Sequence, residues 1–429
     1  MTENNIWHPF TPLAEGYAPL EIVKADGIYI YTKDERKILR AVSSWWVNIH
    51  GHANKKIANA ISQQAHSLEH VIFAGFTHQP AEKLAKSLIE LLPSMNKVFF
   101  SDDGSTAIEV ALKICLQHFH NKNRNENKEV ARIKIIAIEG AYHGDTFGAM
   151  AVCDRTPFNA PFNPLLFDVE FIPRPTEKNW NAVKEKFTQI LQSEEVAAFI
   201  FEPIIQGAGG MQTYSPKHLD ELIKLAHNKN TFCIADEIMT GFGRTDHLFA
   251  SQYLQEKPDL ICLSKGITGG FLPLAVTLCT KEVAQPFYDN DILKTFFHGH
   301  SYTGNPIACA AANASLEILL SDECFQNRKR IAEKHLHFAN QINSNKELEK
   351  IRTRVLEIRT CGTIFALELK TEEQTSYFNE WRKNIYNYFL DRNILLRPLG
   401  NVIYMIPPYI ITDDELDVVY NEILNFLKK

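Results

Sequence analysis

The sequence predicts an α/β protein: a large domain with a mostly parallel sheet covered by helices, plus a smaller α+β lobe built from both termini. Three observations predict it. Between about residues 97 and 320, short apolar runs of strand length alternate with helical runs, the signature of a parallel sheet with crossover helices. Several of those apolar runs stop abruptly on polar residues, as fully buried strands do. Before residue 60 and after residue 330 the alternation breaks down into a mixed order of helices and strands.

Taken in order, residues 1–60 combine coil with a hairpin, 28–31 and 37–39 flanking the polar turn Thr32-Lys33-Asp34-Glu35-Arg36. Val98-Phe99-Phe100 is the first strand of the large domain, followed by a helix over 106–120. The polar stretch Asn121-Lys122-Asn123-Arg124-Asn125-Glu126-Asn127-Lys128 reads as a surface loop leading to a strand at 133–138. A helix over 180–192 leads to a strand at 197–201, and a helix over 218–227 to a strand at 231–235. Another strand, 259–263, runs into Ser264-Lys265-Gly266. From Arg330 onward a long helix precedes strands near 364–369 and 402–405, with helices between and after. The expected divisions are 1–60 and 326–429 for the two parts of the small lobe and 61–325 for the large domain.

Composition narrows the function classes. A hydrophobic fraction of 45% and a charged fraction of 22% fit a soluble globular enzyme. A net charge of −6 gives no reason to expect nucleic acid or an anionic membrane as partner. The eight cysteines form no CxxC pair and mostly sit inside apolar runs, so they read as small buried hydrophobes in a reducing compartment. With a polar start and no segment near the roughly 18 apolar residues a membrane span needs, no signal peptide or transmembrane helix is expected and the cytoplasm is the expected location.

The chemistry is concentrated at strand ends. Lys265 follows the apolar run 259–263, and Asp236 follows the run Thr231-Phe232-Cys233-Ile234-Ala235. Strand ends are where open α/β sheets bind ligands. An amine at one and a carboxylate at another suit pyridoxal phosphate: the amine can form a Schiff base, and the carboxylate keeps the ring nitrogen protonated. Ser101-Asp102-Asp103-Gly104-Ser105-Thr106 opens an amphipathic helix and is either an ordinary N-cap or a phosphate seat at a positive helix end. Tyr142, within Gly140-Ala141-Tyr142-His143-Gly144, is either a core tyrosine or a ring that stacks on a planar ligand. His298-Gly299-His300 offers too few ligands for a metal, and no metal is expected. Gly207-Ala208-Gly209-Gly210 does not fit a dinucleotide fingerprint, and no GxSxG is present.

Nearly end to end, the chain resembles the fold-type I, class III pyridoxal-phosphate aminotransferases, and within them the branch acting in biotin biosynthesis. The resemblance rests on Trp7-His8-Pro9-Phe10-Thr11, Ser43-Ser44-Trp45-Trp46, Ala141-Tyr142-His143-Gly144-Asp145-Thr146, Glu202 to Met211, Ala235-Asp236-Glu237, Gly241-Phe242-Gly243-Arg244-Thr245, Ser264-Lys265-Gly266, His298 to Pro306 and Arg397-Pro398-Leu399-Gly400. It implies that Lys265 binds the cofactor, that Asp236 pairs with the ring nitrogen, and that Gly104 and Ser105 take the phosphate. Tyr142 would stack on the ring and touch substrate; Phe10, Trp46, Gly299 and Arg397 would contact substrate, Arg397 through a carboxylate. His300 and Ser301 would complete the phosphate site of a neighbouring subunit, which implies a homodimer with shared active sites. The implied reaction converts 8-amino-7-oxononanoate to 7,8-diaminononanoate with S-adenosyl-L-methionine as amino donor. L-Lysine is the alternative donor, because Phe10 stands where a tyrosine is common, His300 where a proline is, and Gly269-Gly270-Phe271-Leu272-Pro273 resembles the lysine users. Ser301 replaces a usual threonine and keeps its hydroxyl. Another class III ω-aminotransferase is the remaining alternative; many of those carry a glutamate where Ala208 stands.

Overall fold

A computed structural model describes residues 5–14, 19–126, 131–372 and 375–429. Its centre is a seven-stranded sheet in the order Lys97–Ser101, Ala275–Cys279, Leu260–Leu263, Phe232–Asp236, Val196–Phe201, Lys134–Ile138 and Glu170–Ile172. All neighbours pair in parallel except around Ala275–Cys279, which runs antiparallel to both sides. The inner strands are buried along their whole length, and this is why they read as unbroken apolar runs. The reversal into Ala275–Cys279 is made at Gly269 and Gly270, both at positive φ. A Cβ on Gly270 would lie 2.4 Å from Asn48 Nδ2, so glycine is required for that turn to approach the N-terminal segment.

Two apolar layers cover the sheet, one of them formed with the helix Gly104–Glu126. That helix corrects the sequence-based reading. Residues 121–126 continue the helix instead of forming a loop, and 127–128 lie outside the described residues. The reason is Asn121, which is fully buried and donates from Nδ2 to the carbonyls of Lys294 (3.1 Å) and Pro286 (3.4 Å). The Nδ2 finds these acceptors although Oδ1 has no partner among the described residues, and composition alone does not register such burial.

The ends of the chain meet. Ile22–Asp26, Tyr29–Thr32 and Lys37–Arg40 form an antiparallel meander, and Ile394–Leu395 from the C-terminal region adds to it in parallel. A second sheet, Val355–Cys361, Ile364–Leu369 and Val402–Met405, lies beside the helices Asp322–Ser344 and Asp413–Lys428. The first of these helices begins upstream of Arg330 because Ser321 Oγ caps it, accepting from Cys324 N at 3.2 Å. Among the described residues no helix is long and apolar enough to cross a membrane.

Candidate active site

The carboxyl ends of the central strands open into a cavity of about 390 Å³ whose walls also draw on both chain termini. Its floor is polar and built by backbone. Phe232–Asp236 ends on Asp236, only 4% exposed, whose Oδ1 accepts from Ile238 N at 3.0 Å. Its Oδ2 lies 2.7 Å from His143 Nδ1; an ionised carboxylate only accepts, so Nδ1 carries the proton. His143 is buried, and among the described residues its Nε2 has no hydrogen-bond partner.

Val196–Phe201 ends one residue before Glu202, also buried, which accepts from Tyr142 N at 3.2 Å and Gly207 N at 2.8 Å. Burial pushes the Glu202 carboxyl up to about 7; the nearby His143 opposes this, Asp236 adds to it, and the two amides oppose it. The family resemblance spans Glu202 without implying a role for it. Its signal was the one that found Asp236 and Lys265, an ionisable residue just past a buried strand.

Leu260–Leu263 ends one residue before Ser264, and Lys265 begins a short 3-10 turn with φ +45. A left-handed lysine costs about 1–2 kcal/mol, so the surrounding packing holds it there. The part-buried Lys265 Nζ lies 5.0 Å from the Trp46 ring centroid. Burial lowers its pKa below the ordinary lysine value, while Asp236 and Glu202 act in the opposite direction. A buried amine of this kind is more often neutral and so a better nucleophile and base.

On one wall, Gly104 and Ser105 open the helix Gly104–Glu126, so their N–H groups have no intrahelical acceptor. Ser105 Oγ accepts from Asp145 N at 3.1 Å. A Cβ on Gly144 would lie 2.2 Å from Ser105 Oγ, so glycine keeps the helix mouth clear. Tyr142 lines the same space; burial raises its phenol pKa, and Asp145 adds to the rise.

Opposite, Trp46 is buried with its Nε1 donating to Tyr404 Oη at 3.1 Å. Its loop is held in an uncommon shape, with Ser43, Ser44 and Trp46 at positive φ. Ser43 Oγ donates to Ile406 O at 2.7 Å, and the buried Arg244 donates to Trp46 O at 3.3 Å and Pro407 O at 2.8 Å. Arg244, from the Gly-Phe-Gly-Arg segment, thus positions the tryptophan loop. The outer rim is aromatic: Phe10 meets Trp45 edge-on at 5.2 Å, and the Arg397 guanidinium lies 4.6 Å above Trp45.

The cavity therefore brings together Phe10, Trp46, Gly104, Ser105, Tyr142, Asp236, Lys265 and Arg397. Gly299, His300 and Ser301 do not line it; Gly299 and Ser301 are exposed and His300 Nε2 is 3.8 Å from Asp102. Sequence reasoning missed the rim residues Phe158, Tyr377 and Arg382. They come from irregular segments and a helix start far apart in the chain, and no local pattern marks them.

The description Aminotransferase class-III matches residues 12–427. The chain belongs to the class III aminotransferases. It is 45% identical to the adenosylmethionine-8-amino-7-oxononanoate aminotransferase of Synechococcus elongatus, over 99% of this chain and 98% of that one. The same-named protein of Helicobacter pylori is 37% identical, covering 99% and 97%. Among solved structures, the same-named aminotransferase from Methanocaldococcus jannaschii superposes with a TM-score of 0.90 at 32% identity, covering 99% and 97%. An amine transaminase from an uncultivated Pseudomonas species, solved in its PLP-bound form, superposes at 0.88 with 27% identity, covering 99% and 98%. For a class III aminotransferase the floor of the cavity is chemically apt: a desolvated amine, a braced carboxylate and a helix mouth face one space.

Proposed function

We propose that this protein is a pyridoxal-phosphate-dependent aminotransferase of biotin biosynthesis that converts 8-amino-7-oxononanoate to 7,8-diaminononanoate. The observation that carries the reading is the single cavity holding Lys265, Asp236 and the Gly104–Ser105 helix mouth at one side and Trp45, Trp46 and Arg397 at the other. The residues fit the cofactor: a nucleophilic amine, a carboxylate braced by His143, and free amides beside glycines. When bound, the cofactor supplies an electron sink for the carbon that loses its proton.

The chain's own residues do the rest. Lys265 Nζ would hold the cofactor covalently and, once released, carry the proton at the reacting carbon. Asp236 would keep the ring nitrogen protonated, with the His143 contact at Oδ2 maintaining its orientation. Gly104 and Ser105 would bind the phosphate, and Tyr142 would cover the ring and touch substrate. Trp46 would cover the methylene chain of the acceptor, a contact worth about 25 cal/mol per Å² buried. Arg397 suits the acceptor carboxylate because a guanidinium can bind both oxygens.

Our reading of the donor is S-adenosyl-L-methionine, named in the description of the relatives. L-Lysine is the second reading, favoured by Phe10, which brings no hydroxyl to the rim. The assembly we propose is a homodimer in which Gly299, His300 and Ser301 complete the partner's site. Their position outside their own cavity supports this, as does the exposure of Phe297 (70%) and Tyr302 (65%) beside them. Eight unpaired cysteines, seven of them buried, support a cytoplasmic location. One experiment tests the reading: purified enzyme with pyridoxal phosphate is given 8-amino-7-oxononanoate and either donor, and 7,8-diaminononanoate is measured. Product with S-adenosyl-L-methionine is the expected result. Product with lysine alone moves the donor assignment, and transamination of simple ω-amino acids in preference to 8-amino-7-oxononanoate overturns the acceptor.

A further inference from the structure

Arg359 and Glu368 form a buried ion pair in the second small-lobe sheet, Arg359 Nη1 donating to Glu368 Oε2 at 2.6 Å, with the more exposed Glu357 at 2.5 Å. A buried pair persists where surrounding polar atoms complete its hydrogen bonds. Here those atoms come from the two segments that flank the cavity. Arg359 Nη2 donates to Gly210 O at 2.9 Å, and Gln212 Nε2 donates to Glu368 Oε2 at 3.2 Å. Both partners follow Gly207, where a Cβ would lie 3.2 Å from the Trp46 ring. On the other side, Thr375 Oγ1 donates to Glu368 Oε1 and accepts from Asn401 Nδ2 at 3.2 Å. A hydroxyl has one hydrogen and a carboxylate only accepts, so that hydrogen is committed to Glu368.

The segment that carries Thr375 also carries Tyr377, whose ring lines the cavity. It sits on the turn that follows Arg397: a Cβ on Gly400 would lie 1.7 Å from Ser376 O, so glycine is required there. The exposed rings of the rim lean on Tyr377 in turn. Phe158 meets it at 4.8 Å, Phe10 meets Phe158 at 6.1 Å, and Trp45 meets Phe10 at 5.2 Å. Each end of this series is tied to a buried polar group. Arg244 holds the Trp46 loop through Trp46 O, and Glu368 holds the Tyr377 segment through the Thr375 hydroxyl. Thr375 is itself exposed, so its side chain can be altered without opening the core.

We propose that Glu368 is a positioning residue for substrate recognition, fixing Tyr377 at the cavity mouth through the Thr375 hydroxyl. Glu368 does not line the cavity and acts through Tyr377. The inference rests on the acceptor reading given above for the substrate that reports it. A ring held at the mouth covers part of a long apolar chain, and a ring left loose covers less of it.

The test uses the holoenzyme. Thr375→Val keeps the side-chain shape and removes the hydroxyl; the acceptor KM rises about fivefold while kcat and the visible cofactor band hold. Thr375→Ser keeps the hydroxyl and stays within about twofold of wild type. In a Tyr377→Ala background there is no ring to place, so adding Thr375→Val changes the acceptor KM by less than about twofold. The same factor in both backgrounds, an unchanged KM, or a fall confined to kcat each overturns the proposal. Without any substrate, backbone amides of residues 375–381 exchange about tenfold faster in Thr375→Val and at the wild-type rate in Thr375→Ser. Equal exchange in all three proteins overturns the link. If Thr375→Val does not fold, Thr375→Ala is read by the same measurements. Faster exchange in a protein that fails to use 8-amino-7-oxononanoate counts against the proposed acceptor and not against the link.

Discussion

The two sides of the cavity are built by different means. The floor consists of Asp236, Glu202 and Lys265 at the ends of adjacent buried strands, with His143 wedged behind Asp236. Each group there is positioned by backbone that the sheet has already ordered, and each carboxylate oxygen of Asp236 and Glu202 has a nitrogen partner. The rim consists of rings and guanidiniums that touch one another edge to face, with Phe10 and Trp45 nearly half exposed. Rigid buried groups suit proton transfer and charge placement, which tolerate little displacement. Half-exposed rings suit recognition of two different substrates in turn, since they adjust at small cost. On the proposed function, the floor would set the reaction and the rim would set what enters.

Removing the floor amine gives the largest separation between the two. Lys265→Ala should lower turnover by about 10⁴-fold or more, since on the proposed function one group would serve as both covalent anchor and proton carrier. The visible absorption of the lysine-linked cofactor should vanish, while affinity for an acceptor analogue stays within a few-fold. Near-normal turnover in Lys265→Ala would break the division. Asp236→Asn comes next. Oδ1 of the amide can still accept from Ile238 N, and its Nδ2 can donate to His143 Nδ1 in the ring's other tautomer, so melting temperature should stay close to wild type while turnover drops by about 10²-fold or more. A large fall in melting temperature with little loss of rate would instead make Asp236 a structural residue.

The same division explains how much was legible in the sequence. Lys265 and Asp236 stand out because a buried parallel strand is a short apolar run and the first polar residue after it marks the strand end. The fold was readable for the same reason, together with the break in alternation at the two ends. The rim is opaque because its parts come from residues 10, 45, 158, 377, 382 and 397, which meet only once both ends of the chain have folded against the sheet. No local period connects Phe158 to Tyr377. Family resemblance supplied Phe10, Trp46 and Arg397; it did not supply Arg382. The strand Ala275–Cys279 was also missed, because its reversal depends on the fit of Gly270 against Asn48, a tertiary contact.

Glu202 offers a finer test of how the floor is held. Its folded pKa of about 7 exceeds the ordinary glutamate value of 4.5, mainly because the carboxyl is buried. Between those values the folded protein keeps a proton that the unfolded chain has released, so folding stability falls as pH rises through that window and stays lowered above it. Glu202→Gln holds a neutral group throughout. The melting temperature of wild type minus that of Glu202→Gln should therefore decrease from pH 4.5 to 7 and level off beyond. A difference that stays flat, or grows with pH, would mean that Glu202 is ionised in the folded state and that the amides of Tyr142 and Gly207 outweigh its burial.

The smallest expected effect lies at the rim. Trp45 is 42% exposed and gives Arg397 a ring face to rest on. A partly exposed cation–ring contact contributes about 0.5–1 kcal/mol, or roughly a two- to fivefold change in binding. Trp45→Leu keeps an apolar surface against Phe10 and removes the ring under the guanidinium. The acceptor KM should rise by about that factor, with kcat and the cofactor spectrum unchanged. A phenylalanine at position 45 should recover most of the loss, since it restores a ring face without the indole N–H. If kcat falls in Trp45→Leu while KM holds, the rim reaches into the chemical step. Recognition and reaction would then be coupled through the neighbouring Trp46, whose loop is continuous with Trp45 and whose ring lies beneath Lys265.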